Sequence, residues 1–211
     1  FKYTAVADNP AEVSGYAAGE VRDLTDGHRI QETLDNLGDE AQRVVYTITA
    51  YTVDGSGIAK ACPGVSVQRE VWVEPTPVVV ATPVLDTICD NTQTDILLTS
   101  PSTPTNPVRF KYTAVADNPA EVSGYAAGEV RDLTDGHRIQ ETLDNLGDEA
   151  QRVVYTITAY TVDGSGIEKA CPGVSVQSEV WVEPTPIVVA TPVLDTICDN
   201  TQTDILLTSP S

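Results

Sequence analysis

The sequence predicts an all-β protein built from copies of one module, and three observations predict it. Val, Thr, Ile and Tyr are favoured, Met is absent and Phe occurs only twice, a bias toward residues that suit a pleated, half-buried surface. The chain repeats itself over nearly its whole length. Within each copy, short stretches of alternating apolar and polar residues are separated by turn-forming residues, the signature of strands.

The composition bounds the function. With 211 residues, 41% of them apolar, the chain can bury a packed core and is not a disordered acidic tail. Its formal net charge of −19 argues against nucleic acid, whose phosphates need a basic face, and against docking on anionic lipid. It is compatible with a solvated acidic surface and with binding of hard cations. No run of about 20 apolar residues is present to span a bilayer. The chain opens in a strand-like run, Phe1-Lys2-Tyr3-Thr4, and therefore reads as an internal excerpt whose targeting signals lie elsewhere.

The repeat is the main fact. Phe1-Lys2-Tyr3-Thr4-Ala5-Val6 recurs as Phe110-Lys111-Tyr112-Thr113-Ala114-Val115, an offset of 109 residues, and 1–102 aligns with 110–211. Three of the 102 aligned positions differ: Ala59/Glu168, Arg69/Ser178 and Val78/Ile187. A period of this length exceeds a solenoid unit of about 20–50 residues and suits an autonomous sandwich domain. Tandem copies favour a stalk or a multivalent binder over an enzyme, which gains little from a second identical site.

The Pro-x-Pro step in Glu74-Pro75-Thr76-Pro77, repeated at Glu183-Pro184-Thr185-Pro186, reads as a short stiff linker. On that reading 79–187 is one complete domain, 1–78 is a domain lacking its first strands, and 188–211 holds the first strands of a following one.

In the complete domain, Val84 to Ile88 reads as a strand, Asp90 to Gln93 as a turn and Asp95 to Thr99 as a second strand. Pro101 to Pro107 reads as a loop. Val108, Phe110, Tyr112 and Ala114 share one face of the next strand. Val153, Tyr155, Ile157 and Ala159 do so on a long strand ending at Val162. Asp163-Gly164-Ser165-Gly166 reads as a hairpin turn, and Val174, Val176, Val180 and Val182 line the last strand, interrupted by Ser178. Ile139, Leu143 and Leu146, spaced i, i+4, i+7, predict one short helix capped by Asp135 and ended by Gly147. About seven strands and a helical turn point to an immunoglobulin-like sandwich. The incomplete module 1–78 would expose half a core, which predicts that 188–211 of a neighbour fills it head to tail.

Four cysteines, Cys62, Cys89, Cys171 and Cys198, fall two per repeat and suggest disulfides in an oxidising compartment. Cys89–Cys171 within the complete domain is the first expectation, worth roughly 4 kcal/mol by chain entropy, with Cys62 and Cys198 pairing across the head-to-tail joint. Cys62–Cys89 with Cys171–Cys198 and unpaired buried thiols stay open as alternatives. Neither a Cys-x-x-Cys nor a His cluster is present to suggest zinc.

Catalytic chemistry is not legible. His28 and His137 are one position seen twice, and they read as surface or capping residues. The Gly-Ser-Gly runs lack nucleophile-elbow spacing, and no phosphate-binding glycine loop occurs. No cofactor is expected, with calcium as the one exception. Acidic residues crowd 8–40, and their copies Asp117, Asp132, Asp135, Asp144 and Asp148 offer oxygen ligands that suit calcium, although EF-hand spacing is missing. Trp72 and Trp181 lie on the polar face of the last strand, where they would pack on an adjoining domain, stack on a sugar ring or simply be partly buried in their own domain.

Thr87-Ile88-Cys89-Asp90, then Thr94 to Ser100, then Val108-Arg109-Phe110-Lys111-Tyr112 resemble the opening of the PKD-like, immunoglobulin-fold repeats of giant Bacteroidota cell-surface proteins. Ile139, Leu143 and Asn145, Val153 to Thr158, Cys171-Pro172-Gly173 and Val182 to Pro186 continue the likeness through the 109-residue period. Tyr112 departs from it, since Trp is frequent there. The resemblance implies an extracellular, cell-surface location, tandem arrays, export by the type IX system and kinship with gliding-motility adhesins. It carries over no catalytic residue. The expected function is a non-enzymatic structural repeat of a long adhesin or filament, acting as a stalk or spacer, with adjacent identical repeats or chains as partners. The alternatives are a module binding glycans or surfaces through multivalency, and an accessory module of a large secreted hydrolase. Neither nucleic acid nor membrane insertion of this segment is expected.

Overall fold

A computed structural model describes residues 1–20, 22–60, 64–169 and 172–210. The described residues form strands, turns and loops without a helix. They divide into two compact units. The first comprises Phe1–Val78 with Ser100–Val108 and Tyr160–Gly173, and the second comprises Val79–Thr99, Arg109–Ala159 and Val174–Ser211.

The second unit holds a β-sandwich. One layer has five strands in the order Arg131–Thr134, Val108–Ala116, Gln151–Thr161, Ser175–Glu183 and Thr87–Cys89. Its last pair is parallel, Trp181 to Glu183 running beside Thr87 to Cys89. The other layer is formed by Arg138–Ile139, Ile96–Thr99 and Val80–Pro83, with a small sheet of Val122–Ser123, Thr142–Asn145 and Thr92–Gln93 beside it. The period-two alternation does the folding work. Phe110, Tyr112, Ala114, Val153, Tyr155, Ile157, Val180 and Val182 point inward from the first layer and are buried with Ile88, Ile96, Leu98, Ile139 and Leu143.

The first unit has one main sheet, in the order Arg22–Asp23, Lys2–Ala7, Gln42–Thr49 and Ser66–Val73. Its core is smaller: Tyr3, Ala5, Ala7, Val13, Val44 and Tyr46. Val67 and Val71 on its last strand are exposed. In both units a glycine is required where one turn crosses another. Gly15 and Gly124 have φ of 87° and 89°, and a Cβ on either would lie 1.8 Å or 1.9 Å from the carbonyl oxygen of Thr33 or Thr142.

Residues 188–211 contain a lone hairpin, Val189–Pro192 with Ile205–Thr208. Its ladder pairs Val189 with Thr208 and Pro192 with Ile205, the register by which Val80 meets Thr99 and Pro83 meets Ile96 in the sandwich.

Two expectations are corrected. The segment Ile139 to Leu146 is not a helix but two short strands, Arg138–Ile139 and Thr142–Asn145. An i, i+4 spacing satisfies a period of two as well as one of 3.6. Ile139, Leu143 and Asn145 are buried at odd positions while Leu146 is exposed, so the alternation wins, and Asp135 and Gly147 belong to turns rather than caps. The strand expected at Val84 to Ile88 is also displaced. Val84 and Leu85 are exposed, and the strands are Val80–Pro83 and Thr87–Cys89.

Candidate interaction surface

A carboxylate holds the core of each unit together. Glu141 accepts hydrogen bonds from the hydroxyls of Tyr112 and Tyr155, both at 3.0 Å, and from the backbone N–H of Ala126 at 3.3 Å. Glu32 does the same for Tyr3 at 3.0 Å, Tyr46 at 2.9 Å and Ala17 at 3.2 Å. Burial, followed by the neighbouring carboxylate, pushes the Tyr46, Tyr112 and Tyr155 hydroxyls well above the ordinary tyrosine range. This node is illegible from composition, because a Glu between strand residues looks like solvent-facing alternation. The available signal is parity: Glu141, between the strands Arg138–Ile139 and Thr142–Asn145, lies two residues from both Ile139 and Leu143, which point inward.

What lies across that node differs between the units. In the second, Thr94 is buried. Its hydroxyl donates to the Ile139 carbonyl at 3.3 Å and accepts from the Glu141 N–H at 2.9 Å, while its own N–H donates to the Glu141 carbonyl at 2.8 Å. Asp90 accepts from the Asn145 N–H at 2.8 Å and the Thr185 hydroxyl at 2.7 Å. These two bonds, the Thr185 one foremost, hold its carboxyl below the usual range. Asp95 pairs with Arg138. The Trp181 N–H donates to the Asp86 carbonyl at 2.8 Å.

Among the described residues the first unit shows no such layer, and its sheet is correspondingly open. Val71 is 43% exposed where Val180 is 1%. The matching apolar side chains are bare on the lone hairpin: Ile205 is 53% and Leu207 65% exposed, against 0% for Ile96 and Leu98. Elsewhere in the first unit the linker is well seated. Pro75 and Pro77 are buried, the Glu74 carboxylate accepts from the Thr105 N–H at 2.9 Å and from the Thr105 hydroxyl, and the Thr103 N–H donates to the Asp39 carbonyl at 2.7 Å. The equivalent Glu183 and Pro186 are exposed. They line an open cleft of about 550 Å³ with Cys89, Asp90, Pro184 and Thr185.

The other sequence-predicted residues scatter. Each expected disulfide includes Cys62 or Cys171, which lie outside the described residues; Cys89 and Cys198 are exposed, free thiols. Among the calcium candidates, Asp117 pairs with Arg152 at 2.9 Å, Asp132 with Arg109 at 3.2 Å, and Asp144 accepts from the Ser123 hydroxyl. Asp135 and Asp148 sit in separate turns. Among the described residues no three His, Cys, Asp or Glu side chains group as metal ligands would. Trp72 and Trp181 are exposed, each with an arginine over its ring, Arg43 at 6.0 Å and Arg152 at 5.8 Å from the centroid. Those arginines are in turn held by Asp8 and Glu70, and by Asp117 and Glu179. His28 and His137 bond the Thr25 and Thr134 hydroxyls within their own turns. Among the described residues no helix is long and apolar enough to cross a membrane.

No curated protein matches the chain. A family model for the PKD-like domain matches it twice, over residues 1–77 and 86–186. Domains of this kind are typically non-catalytic structural or adhesion modules and are often extracellular. With most of its length matched by that model, the chain belongs to the PKD-like domain family.

Proposed function

We propose that the chain is a structural repeat of a long extracellular adhesin or filament, serving as a stalk or spacer in which the first strands of one module complete the sheet of a neighbour head to tail. On this reading the modules are 1–78, 79–187 and 188–211, and a cell-surface setting of the Bacteroidota kind suits them. One observation carries it. Residues 188–211 are identical to 79–102, a segment whose Ile96 and Leu98 are fully buried in the sandwich, while Ile205 and Leu207 are bare. The sheet of 1–78 carries the inward residues that this segment covers in the second unit, with Arg69 in place of Ser178 as the one exception.

Concentration-dependent sedimentation of the 211-residue chain tests it. Head-to-tail oligomers that grow with concentration, and that vanish when 188–211 is deleted, are the expected result. A chain that stays monomeric with 188–211 intact removes the strand-exchange element. The adhesive alternative rests on the exposed indoles, and it is checked by glycan-array binding of Trp181→Ala against the parent chain. Saturable binding lost in the variant would replace the spacer reading.

A further inference from the structure

We propose that the open face of 1–78 accepts residues 188–211 of a second copy in one register only, and that Asp199, Thr203 and Asp204 set that register. The inference rests on the strand-complementation reading above and names its specificity determinants. Apolar pattern alone does not fix the fit. A slip of one residue would turn Ile205 and Leu207 outward, but a slip of two restores the parity. The polar side chains do not tolerate the second slip, because each has a particular backbone or side-chain partner.

Those partners are visible where the same sequence is already docked. Thr94 bridges the Ile139 carbonyl and the Glu141 N–H. Asp90 receives the Asn145 N–H and the Thr185 hydroxyl, and Asp95 pairs with Arg138. Shifting both sides by the repeat offset places Thr203 on Ile30 and Glu32, Asp199 on Asn36 and Thr76, and Asp204 on Arg29. Every one of these residue types is conserved between the two copies. The edge pairing transfers as well. Thr87 to Cys89 run parallel to Trp181 to Glu183, so Thr196 to Cys198 add to the edge at Trp72 to Glu74. Thr203 carries the most discrimination, because Thr94 is the most deeply buried of the three and a buried backbone N–H left without an acceptor is costly. One residue opposes the fit. Arg69 stands where Ser178 is buried, so its stem must lie along the sheet and carry the guanidinium out past the edge.

The test compares self-association of the full chain with that of Thr203→Val, Gln202→Ala and Arg69→Ser by sedimentation, and follows exchange of the Glu32 amide hydrogen by NMR. Gln202 is the control, since its counterpart Gln93 is exposed in the docked segment. The expected results are a dissociation constant about tenfold weaker for Thr203→Val, no change for Gln202→Ala, and tighter association for Arg69→Ser. The Glu32 amide should be protected in the assembled parent chain and exchange freely in Thr203→Val. A parent chain that assembles while Thr203→Val behaves like Gln202→Ala, or while the Glu32 amide stays unprotected, overturns the polar register and leaves complementation standing. A parent chain that never assembles overturns both.

Discussion

One 24-residue sequence occurs twice in this chain, at 79–102 and 188–211, in two different surroundings. Its hairpin ladder is the same in both, so the turn and the alternation suffice to set that pairing locally. The short strand Thr87–Cys89 has no counterpart at 196–198. It exists only where the edge of Ser175–Glu183 is there to receive it. Burial separates the copies further, since an isolated two-stranded hairpin has no second layer to cover it. Local sequence therefore writes the hairpin, and the facing sheet decides whether its side chains become core.

Paired substitutions can break or sharpen that contrast. Leu98→Ala should cost about 3 kcal/mol as a buried leucine truncated in a closed core, whereas Leu207→Ala in the monomer should stay within about 0.5 kcal/mol. Urea denaturation followed by circular dichroism reads both, and similar losses would mean that the hairpin at 189–208 is already packed. Glu141→Ala should cost about 2 kcal/mol, because it strands two tyrosine hydroxyls and an N–H. The same tyrosines predict alkaline sensitivity. Their hydroxyls are raised by burial and by Glu141, so the stability they contribute is intact below the unfolded tyrosine value near 10 and is lost as pH rises beyond it. Unfolding in alkali should accordingly precede tyrosine ionisation in the native state.

Exchanging the one inward-facing difference between the copies should have a similar effect in the closed layer. Ser178→Arg places a charge in a closed layer and should cost about 2 kcal/mol, while Arg69→Ser in the monomer should change stability by less than about 0.5 kcal/mol. The smallest effect concerns Asp90. Its carboxyl is lowered by Thr185 and the Asn145 N–H, so its contribution is present above the ordinary carboxylate value near 3.9 and is lost as pH falls through the lower native one. Carbon-detected NMR titration should place its midpoint below that ordinary value, and an unshifted midpoint would show that the Thr185 contact does not persist.

The long strands were legible because nothing competes with their alternation. Val153, Tyr155, Ile157 and Ala159 are all fully buried at successive odd positions. The stretch 139–146 misleads because Glu141 and Asn145 occupy inward positions with polar side chains, which hide the period of two and leave only the ambiguous spacing of Ile139 and Leu143. The candidate surface was legible in outline, since the repeat offset marks 188–211 as a copy of a core segment. Its polar determinants were not, because a threonine or aspartate in a turn shows no sign in sequence of the carbonyl or N–H it will meet. The seating of Pro75 and Pro77 beside a Glu74 that receives Thr105 likewise goes beyond the stiffness that a Pro-x-Pro step predicts.

The parallel pairing of Thr87–Cys89 with Trp181–Glu183 bears on mechanical load. The chain enters this pair at the amino end of one strand and leaves it at the carboxyl end of the other, so in the proposed stalk, tension along the chain would pull the two strands past each other lengthwise. The bonds of the ladder, with the Trp181 N–H on the Asp86 carbonyl among them, then bear the force together instead of parting one at a time. If the proposed stalk is correct, it would resist extension at its sheet edges, where shear is shared, and not at its hairpins, which would unzip bond by bond.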